Sequence, residues 1–257
     1  MKRIAILYIC TGKYTVFWKD FYESYEKNFV RNCRKDYFVF TDSDALTYAE
    51  RDNVHIIYQE LLGWPYDTLN RFHFFAKIEN QLKEFDYIFF MNANMLCREE
   101  IVAEEILPQD KDIVVIRHPG FWDKSNDEYT YDRNPKSQAY MGKQEGKYYV
   151  CGGINGGKAI PYLELIKELR RRVDIDSSND VIALWHDESH LNKYVWELGD
   201  DKCLVLSPAY GYPEGWKLPF VKKLEIREKS KYINVKKVKG ETPYKKIVGW
   251  CRKRWEK

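Results

Sequence analysis

Three short stretches of this chain carry the residue types that chemistry needs. Trp185-His186-Asp187-Glu188-Ser189-His190 crowds two acids and two imidazoles into six positions, which suits acid–base work, a carboxylate nucleophile or metal ligation. On a helix, His186 and His190 lie one turn apart on one face, as in a His-Glu-x-x-His zinc site. The acid directly after the first His is Asp187, however, and Glu188 is one position late for that motif's base. No third ligand follows. The plain alternative is the solvated face of a helix beside a core Trp. The second stretch, Asn92-Ala93-Asn94, ends the apolar run Tyr87 to Met91. Ligands collect beyond the carboxyl ends of strands in an open α/β sheet, so the two amides are placed to meet one, or they form an ordinary turn. The third is Gly152-Gly153-Ile154-Asn155-Gly156-Gly157, whose four glycines allow close approach to a ligand or a tight turn.

The elements that must position these residues follow from periodicity. Ile4 to Cys10 reads as a buried strand. Tyr14, Trp18, Phe21, Tyr25 and Phe29 recur at helical spacing. Tyr37 to Phe40 and Val54 to Tyr58 are predicted strands; Leu61 to Pro65 is a break; Leu69, Phe72, Ala76 and Leu82 predict one helix. After the strand Tyr87 to Met91 comes another at Ile113 to Ile116. A long polar, Tyr-rich loop then runs to about Lys147; a loop of that length is usually functional or disordered. Tyr162, Ile166, Leu169 and Val173 mark a helix, and a second is predicted over Asn179 to Leu198 with Gly199 as its stop. Cys203 to Ser207 is a late strand, and Pro208 to Pro219 a turn-rich aromatic loop. This alternation argues for a sheet with helical crossovers, the Rossmann-like α/β class. No Gly-x-Gly-x-x-Gly and no Walker lysine follow the first strand, so dinucleotide and P-loop readings lack their motif.

Composition narrows the class. The 257 residues are 44% hydrophobic and 32% charged, ordinary for a soluble protein with a real core. A net charge of +3 is too small to argue for nucleic acid. Six scattered cysteines without a CxxC pair support neither a zinc site nor a disulfide framework. The apolar stretch after Met1-Lys2-Arg3 is too short for a membrane span and lacks a cleavage site, so the expected compartment is the cytoplasm. The run Tyr244 to Trp255 interleaves basic and aromatic residues. It suits a segment lying on the anionic inner face of a membrane, and equally a basic tail without structure.

Taken in order, several motifs resemble glycosyltransferase family 6, the family of the histo-blood-group A and B transferases and α1,3-galactosyltransferase. They are Tyr37-Phe38-Val39-Phe40-Thr41-Asp42, His118-Pro119-Gly120-Phe121, Tyr129-Thr130-Tyr131, Ser137-Gln138-Ala139-Tyr140, Tyr148-Tyr149, Gly156-Gly157, Trp185 to Ser189 and Leu206-Ser207-Pro208. The resemblance implies a GT-A-type fold, a mixed, mainly parallel sheet flanked by helices. It implies a single catalytic domain over about 1–230, donor-binding to about 115 and acceptor-binding beyond, with 231–257 a basic tail. It assigns Ile9, Cys10 and Thr11 to the uracil and ribose of a UDP-sugar, Tyr14 to stacking on the base, and Arg71 to the diphosphate and donor sugar. Asn92-Ala93-Asn94 matches the family's Asp-x-Asp, which holds Mn²⁺ against the diphosphate. Cys151 and Gly153, with Gly152 between them, match the choice between galactose and N-acetylgalactosamine; Asp187 joins the donor set. His118, Phe121, Thr130, Trp185, His186 and Glu214 are assigned to a β-galactoside acceptor, and Glu188 to the carboxylate beneath the anomeric carbon.

Departures from the family sharpen the expectation. Asn92 and Asn94 are neutral, whereas hard divalent cations favour anionic oxygen. No metal cofactor is therefore expected, in keeping with bacterial-type members that carry Asn-x-Asn. Arg71, Lys13, Lys222, Lys223, Arg227 and Lys229 are the candidates to stabilise the leaving diphosphate. Gly153 lacks a Cβ and leaves room for a C2 substituent, favouring N-acetylgalactosamine over galactose. The expected reaction is retaining transfer from UDP-GalNAc or UDP-Gal to the 3-position of a β-galactoside, with one bearing fucose at its 2-position the expected acceptor. A UDP-sugar hydrolase and a non-catalytic carbohydrate-binding protein are the alternatives.

Overall fold

Alternation along the first strand sets the layers. In β1 (Arg3–Ile9), Ile4, Ile6 and Tyr8 enter one hydrophobic cluster while Ala5 and Leu7 enter another, because successive side chains of a strand point to opposite faces. β1 is therefore buried on both sides, which is why it reads as an unbroken apolar run. The structure is a computed structural model and describes residues 1–239. The basic and aromatic run Tyr244 to Trp255 lies outside the described residues.

A 3-10 stretch (Gly12–Phe17) leads into α1 (Trp18–Asn28), then β2 (Arg34–Thr41) and β3 (Val54–Tyr58). The single helix expected over Leu69 to Leu82 is instead three short ones, α2 (Tyr66–Leu69), α3 (Arg71–Ala76) and α4 (Glu79–Leu82). Asn70 and Ile78, with ψ of 12° and 20°, interrupt it. β4 (Tyr87–Met91), β5 (Met95–Cys97), α5 (Ala103–Ile106) and β6 (Ile113–Arg117) follow. Beyond the long loop come β7 (Val150–Lys158), α6 (Ala159–Ser178) and α7 (Asp187–Leu198). The described chain ends with β8 (Cys203–Leu206), β9 (Tyr212–Pro213), β10 (Leu224–Ile226) and α8 (Val235–Lys239).

Seven strands form one sheet in the order β3-β2-β1-β4-β7-β6-β8. β3, β2, β1 and β4 are parallel, β7 runs antiparallel to both its neighbours, and β6 is parallel to β8. From β1 the chain builds outward to β2 and β3 on one side and returns to β4 on the other. That reversal leaves a crevice at the carboxyl ends of β1 and β4, the usual ligand position in such sheets. A small sheet, β5-β10-β9, sits beyond β4.

The glycine cluster forms neither a loop nor a turn but the middle of β7. Gly156 and Gly157 are there for packing: a Cβ on Gly156 would lie 2.5 Å from the Phe89 ring, and one on Gly157 would lie 2.4 Å from Asp112 O. The helix expected from Asn179 starts eight residues late, at Asp187, behind His186 with φ of +53°. His186 and His190 are consequently not two members of one helical face.

The long loop is ordered by two buried carboxylates. Asp132 accepts the Asn134 and Leu184 N–H groups, both at 2.8 Å. Asp176 of α6 accepts the Ser137 hydroxyl and the Gln138 N–H, both at 2.7 Å.

Candidate active site

Ile9, Thr11 and Tyr14, from the end of β1 and the turn after it, face Phe90, Asn92 and Ala93 at the end of β4 across a cavity of about 90 Å³. Trp64, Asp67, Thr68 and Arg71 close a third side, Lys229 and Val238 a fourth. The volume is well below the roughly 300–1,000 Å³ of small-molecule sites. The Lys229 ammonium stands 5.2 Å from the centre of the Tyr14 ring, which brings a cation and a flat aromatic face to the same end of the cavity. Tyr8 fixes the tripeptide from below, its hydroxyl donating to Ala93 O at 3.0 Å.

Arg71 links this cavity to the acids. It is buried against Phe90, 4.3 Å from the ring centre. One guanidinium nitrogen donates to Gly152 O at 3.0 Å and lies 3.0 Å from Asp187 Oδ2. Burial pushes Asp187 up to about 7, against the pull of Arg71. Next to it, both oxygens of Glu188 are held: Oε1 accepts the Tyr149 hydroxyl at 2.9 Å and Oε2 the Gly152 N–H at 2.7 Å. Burial raises the Glu188 carboxyl above its ordinary range, while these two donors and Arg71 hold it down. The approach depends on Gly152, where a Cβ would stand 3.0 Å from Glu188 Cβ and 3.1 Å from Asp187 Oδ2.

An aromatic wall lies on the other side of Glu188. Tyr129, Tyr131, Met141 and Tyr149 cluster with Phe121 and Trp185 packed against them. Thr130 bonds to the Tyr149 hydroxyl, continuing the chain of contacts from Glu188. Burial lowers His118 to about 4, so the ring is neutral near pH 7. Its Nδ1 accepts the Gly120 N–H at 3.0 Å, which puts the ring hydrogen on Nε2.

Other expected site residues fall elsewhere. Cys10 is fully buried just past the end of β1, its thiol pushed up to about 12, and does not line the cavity. Cys151 is likewise a core residue of β7, its thiol also raised to about 12. Lys222 is paired to Glu225 at 2.6 Å, and Lys223 to Glu105. Arg227, 2% exposed, is paired to Asp20 at 2.8 Å; none of these three reaches the cavity. Lys13 is exposed outside its lining. Glu214 is engaged by Lys231 at 2.6 Å and by the Glu228 N–H at 2.7 Å. His186 stands edge-on to Trp64, ring centres 5.3 Å apart. The space above Gly153, expected to receive a sugar substituent, is filled by the Asn92 amide: a Cβ there would lie 2.6 Å from Asn92 Nδ2. Trp64, Asp67, Thr68, Phe90, Val238 and Tyr149 were not expected in the site. Tyr149 alone had a sequence signal, in the Tyr148-Tyr149 pair.

Residues 2–239 match the profile of Glycosyltransferase family 6. The chain belongs to that family. It is 35% identical over 237 residues to the O-antigen biosynthesis glycosyltransferase WbnI of Escherichia coli, covering 91% of this chain and 99% of that protein. To the histo-blood group ABO system transferase 1 of Rattus norvegicus it is 32% identical over 244 residues, 91% of this chain and 66% of the relative. The globoside alpha-1,3-N-acetylgalactosaminyltransferase 1 of Homo sapiens is 27% identical over 214 residues, 80% and 60% of the two chains. The sheet described above is the GT-A-like α/β architecture expected of a family 6 glycosyltransferase. No helix among the described residues is long and apolar enough to cross a membrane.

The tripeptide of this family 6 chain fits a divalent cation poorly. Asn94 is 1% exposed, and its Nδ2 donates to Arg227 O at 2.6 Å. Its Oδ1 is buried with no hydrogen-bond partner; it and the Asn92 amide oxygen are two neutral donors where such cations take six or more oxygens, carboxylates among them. Among the described residues no group of three or more His, Cys, Asp or Glu is placed to hold a metal.

Proposed function

We propose that this chain is a retaining glycosyltransferase that moves N-acetylgalactosamine, or galactose, from a UDP-sugar to the 3-position of a β-galactoside, 2-fucosylated in the preferred acceptor, without a metal ion. The observation that carries the reading is the double anchoring of Glu188, by Tyr149 and Gly152, one residue from an Asp187–Arg71 pair that borders the cavity at the β1 and β4 carboxyl ends.

The donor's uracil lies against Tyr14 and its diphosphate beside Asn92 and Lys229. As the bond from the anomeric carbon to the phosphate oxygen breaks, its electron pair leaves with UDP, and positive charge develops on the sugar. Glu188 stands to meet that charge. It either forms a glycosyl–carboxylate bond, later displaced by the acceptor hydroxyl, or stays beside the cationic centre while the acceptor attacks from the face UDP left. In the second route the acceptor's proton passes to the departing phosphate oxygen. Lys229 offsets the negative charge growing on the diphosphate, the part a metal plays elsewhere. On the acceptor side, neutral His118 offers Nε2–H to a hydroxyl, and the Tyr and Trp rings offer flat faces for the sugar.

The choice of N-acetylgalactosamine no longer rests on open space above Gly153; it requires the Asn92 amide to turn away from that glycine when the donor binds. A binding module lacks a use for a carboxylate held this firmly; a hydrolase would use the same carboxylate but has no use for the aromatic wall beside it.

A donor-by-acceptor activity screen in excess EDTA tests the proposal, with UDP-GalNAc and UDP-Gal each offered to fucosylated and plain β-galactosides. Undiminished transfer with EDTA, highest for UDP-GalNAc and the fucosylated acceptor, is expected. Strict dependence on Mn²⁺ overturns metal independence, and a clear preference for UDP-Gal overturns the donor choice. Donor consumption that ignores the acceptor identifies a hydrolase, and neither consumption nor UDP binding leaves a carbohydrate-binding protein.

A further inference from the structure

A second cavity lies away from the one at the strand ends. A space of about 340 Å³ opens at the other end of α7, enclosed by the end of the long loop at Lys147 and Tyr148 and by Asn192, Trp196, Asp200 and Asp201. That volume is within the roughly 300–1,000 Å³ of small-ligand sites. Its walls combine three features. Trp196 is 41% exposed on a helix whose neighbouring Val195 is 4% exposed, so a large flat ring is presented to the cavity and to solvent rather than to the core. The Tyr148 hydroxyl donates to Asp200 Oδ1 at 3.0 Å, and Lys147 pairs with the other oxygen of that carboxylate. Asp201, exposed beside them, adds a second carboxylate.

The charges select the ligand class. Asp200, Asp201 and the carbonyl end of α7, capped by Gly199, repel phosphate and other anions. The Lys147 ammonium in the same wall opposes a cation. A neutral ligand rich in hydroxyls suits both signs: carboxylates accept its O–H groups, the ammonium donates to its oxygens, and its C–H face covers the Trp196 ring. A pyranose has this chemistry.

We propose that this cavity is a second carbohydrate-binding site, which holds a neutral sugar unit of the acceptor glycan at a distance from the transfer site. The proposal rests on the transferase reading for the identity of that glycan but not for the binding itself. Two links join the sites. Tyr131 lines the cavity and packs on Tyr149, ring centres 5.3 Å apart, and Tyr149 holds Glu188. Asn192 lines the cavity, donates to Glu188 O at 2.9 Å and accepts the Val150 N–H at 2.9 Å. A sugar bound here therefore rests on the back of the wall that faces the acceptor.

Two measurements on the full chain test it. In ¹⁹F NMR of the 5-fluorotryptophan-labelled protein, the Trp196 signal is assigned by its loss in Trp196→Phe. Titration with methyl β-galactoside or lactose is expected to shift that signal saturably, and Asp201→Asn to weaken the shift. No shift with either sugar, or a larger one with choline or inorganic phosphate, overturns the proposal whether or not the chain proves to be a transferase. In the second measurement, Trp196→Ala is assayed on a short disaccharide acceptor and on a long oligosaccharide with the same terminus. The expected result is an unchanged kcat/KM for the disaccharide and a loss of about tenfold for the oligosaccharide, through KM, because a second contact on one linked ligand is removed. An equal loss on both acceptors, the mark of a structural role, or no loss on either, overturns it.

Discussion

Glu188 is subject to opposed pulls. Burial favours its neutral form, while the Tyr149 hydroxyl, the Gly152 N–H and Arg71 favour the carboxylate, with burial the largest. Since the raised carboxyl must lose its proton to meet a developing cation, activity rises with pH through a value above the ordinary glutamate range. The acid limb of kcat is expected there, and a limb at or below that range would remove Glu188 from the chemistry. Tyr149→Phe takes away one donor to the charged form, worth about 1.5–3 kcal/mol, or roughly tenfold to a hundredfold in rate. It should also move the acid limb further up, which simple loss of packing would not do. Glu188→Gln keeps the shape, can accept the Gly152 N–H and donate to a reversed Tyr149 hydroxyl, but cannot carry charge. Transfer is expected to fall by orders of magnitude with UDP affinity, read by calorimetry, nearly intact; near-normal turnover would assign the role elsewhere.

At the scale of elements, the site depends on β7 approaching α7 so closely that a Cβ at Gly152 fits only if its neighbours shift. Gly152→Ala sets a methyl 3.0 Å from Glu188 Cβ and 3.3 Å from its Cα, and helix backbone yields less readily than a side-chain tip. Overpacking of this kind costs about 1–3 kcal/mol. The variant is expected to fold, by circular dichroism and thermal melt, and to lose most of its transfer activity; wild-type turnover would mean that Glu188 does not need the Gly152 N–H. The same strand shows where sequence reading stops. Tyr37 to Phe40, Tyr87 to Met91 and Ile113 to Ile116 were legible because strands buried on both faces are runs of apolar residues. Gly152 to Gly157, within Val150–Lys158, reads as a close approach to a ligand or a tight turn; its reason to be a strand is the room that Phe89 and Asp112 need across the ladder, which no local pattern contains. The start of α7 was misplaced because His186 takes a positive φ, which the residue pattern does not signal. Of the site, the ends of β1 and β4, Arg71 and Glu188 were legible through ordered motifs. Trp64, Asp67 and Val238 were not, because they enter from a break and from the end of the described chain.

Over the whole molecule, charge and connection matter more than any one contact. The basic and aromatic residues after Asn234 give a reason to test anionic surfaces. Full-length chain is expected to co-sediment with phosphatidylserine-containing vesicles at low salt and a chain ending at Asn234 to remain in solution; a full-length chain that stays in solution removes the interfacial reading. The cavity at the strand ends is also completed by this end of the protein. Asn94 and Arg227 exchange bonds, Nδ2 to Arg227 O at 2.6 Å and the Arg227 N–H to Asn94 O at 2.8 Å, and the cavity's walls run from Ile9 to Val238. During synthesis the first strand leaves the ribosome long before Lys229 and Val238 exist. A chain that ends short of Lys229 therefore carries both strand ends of the cavity and lacks one of its four sides.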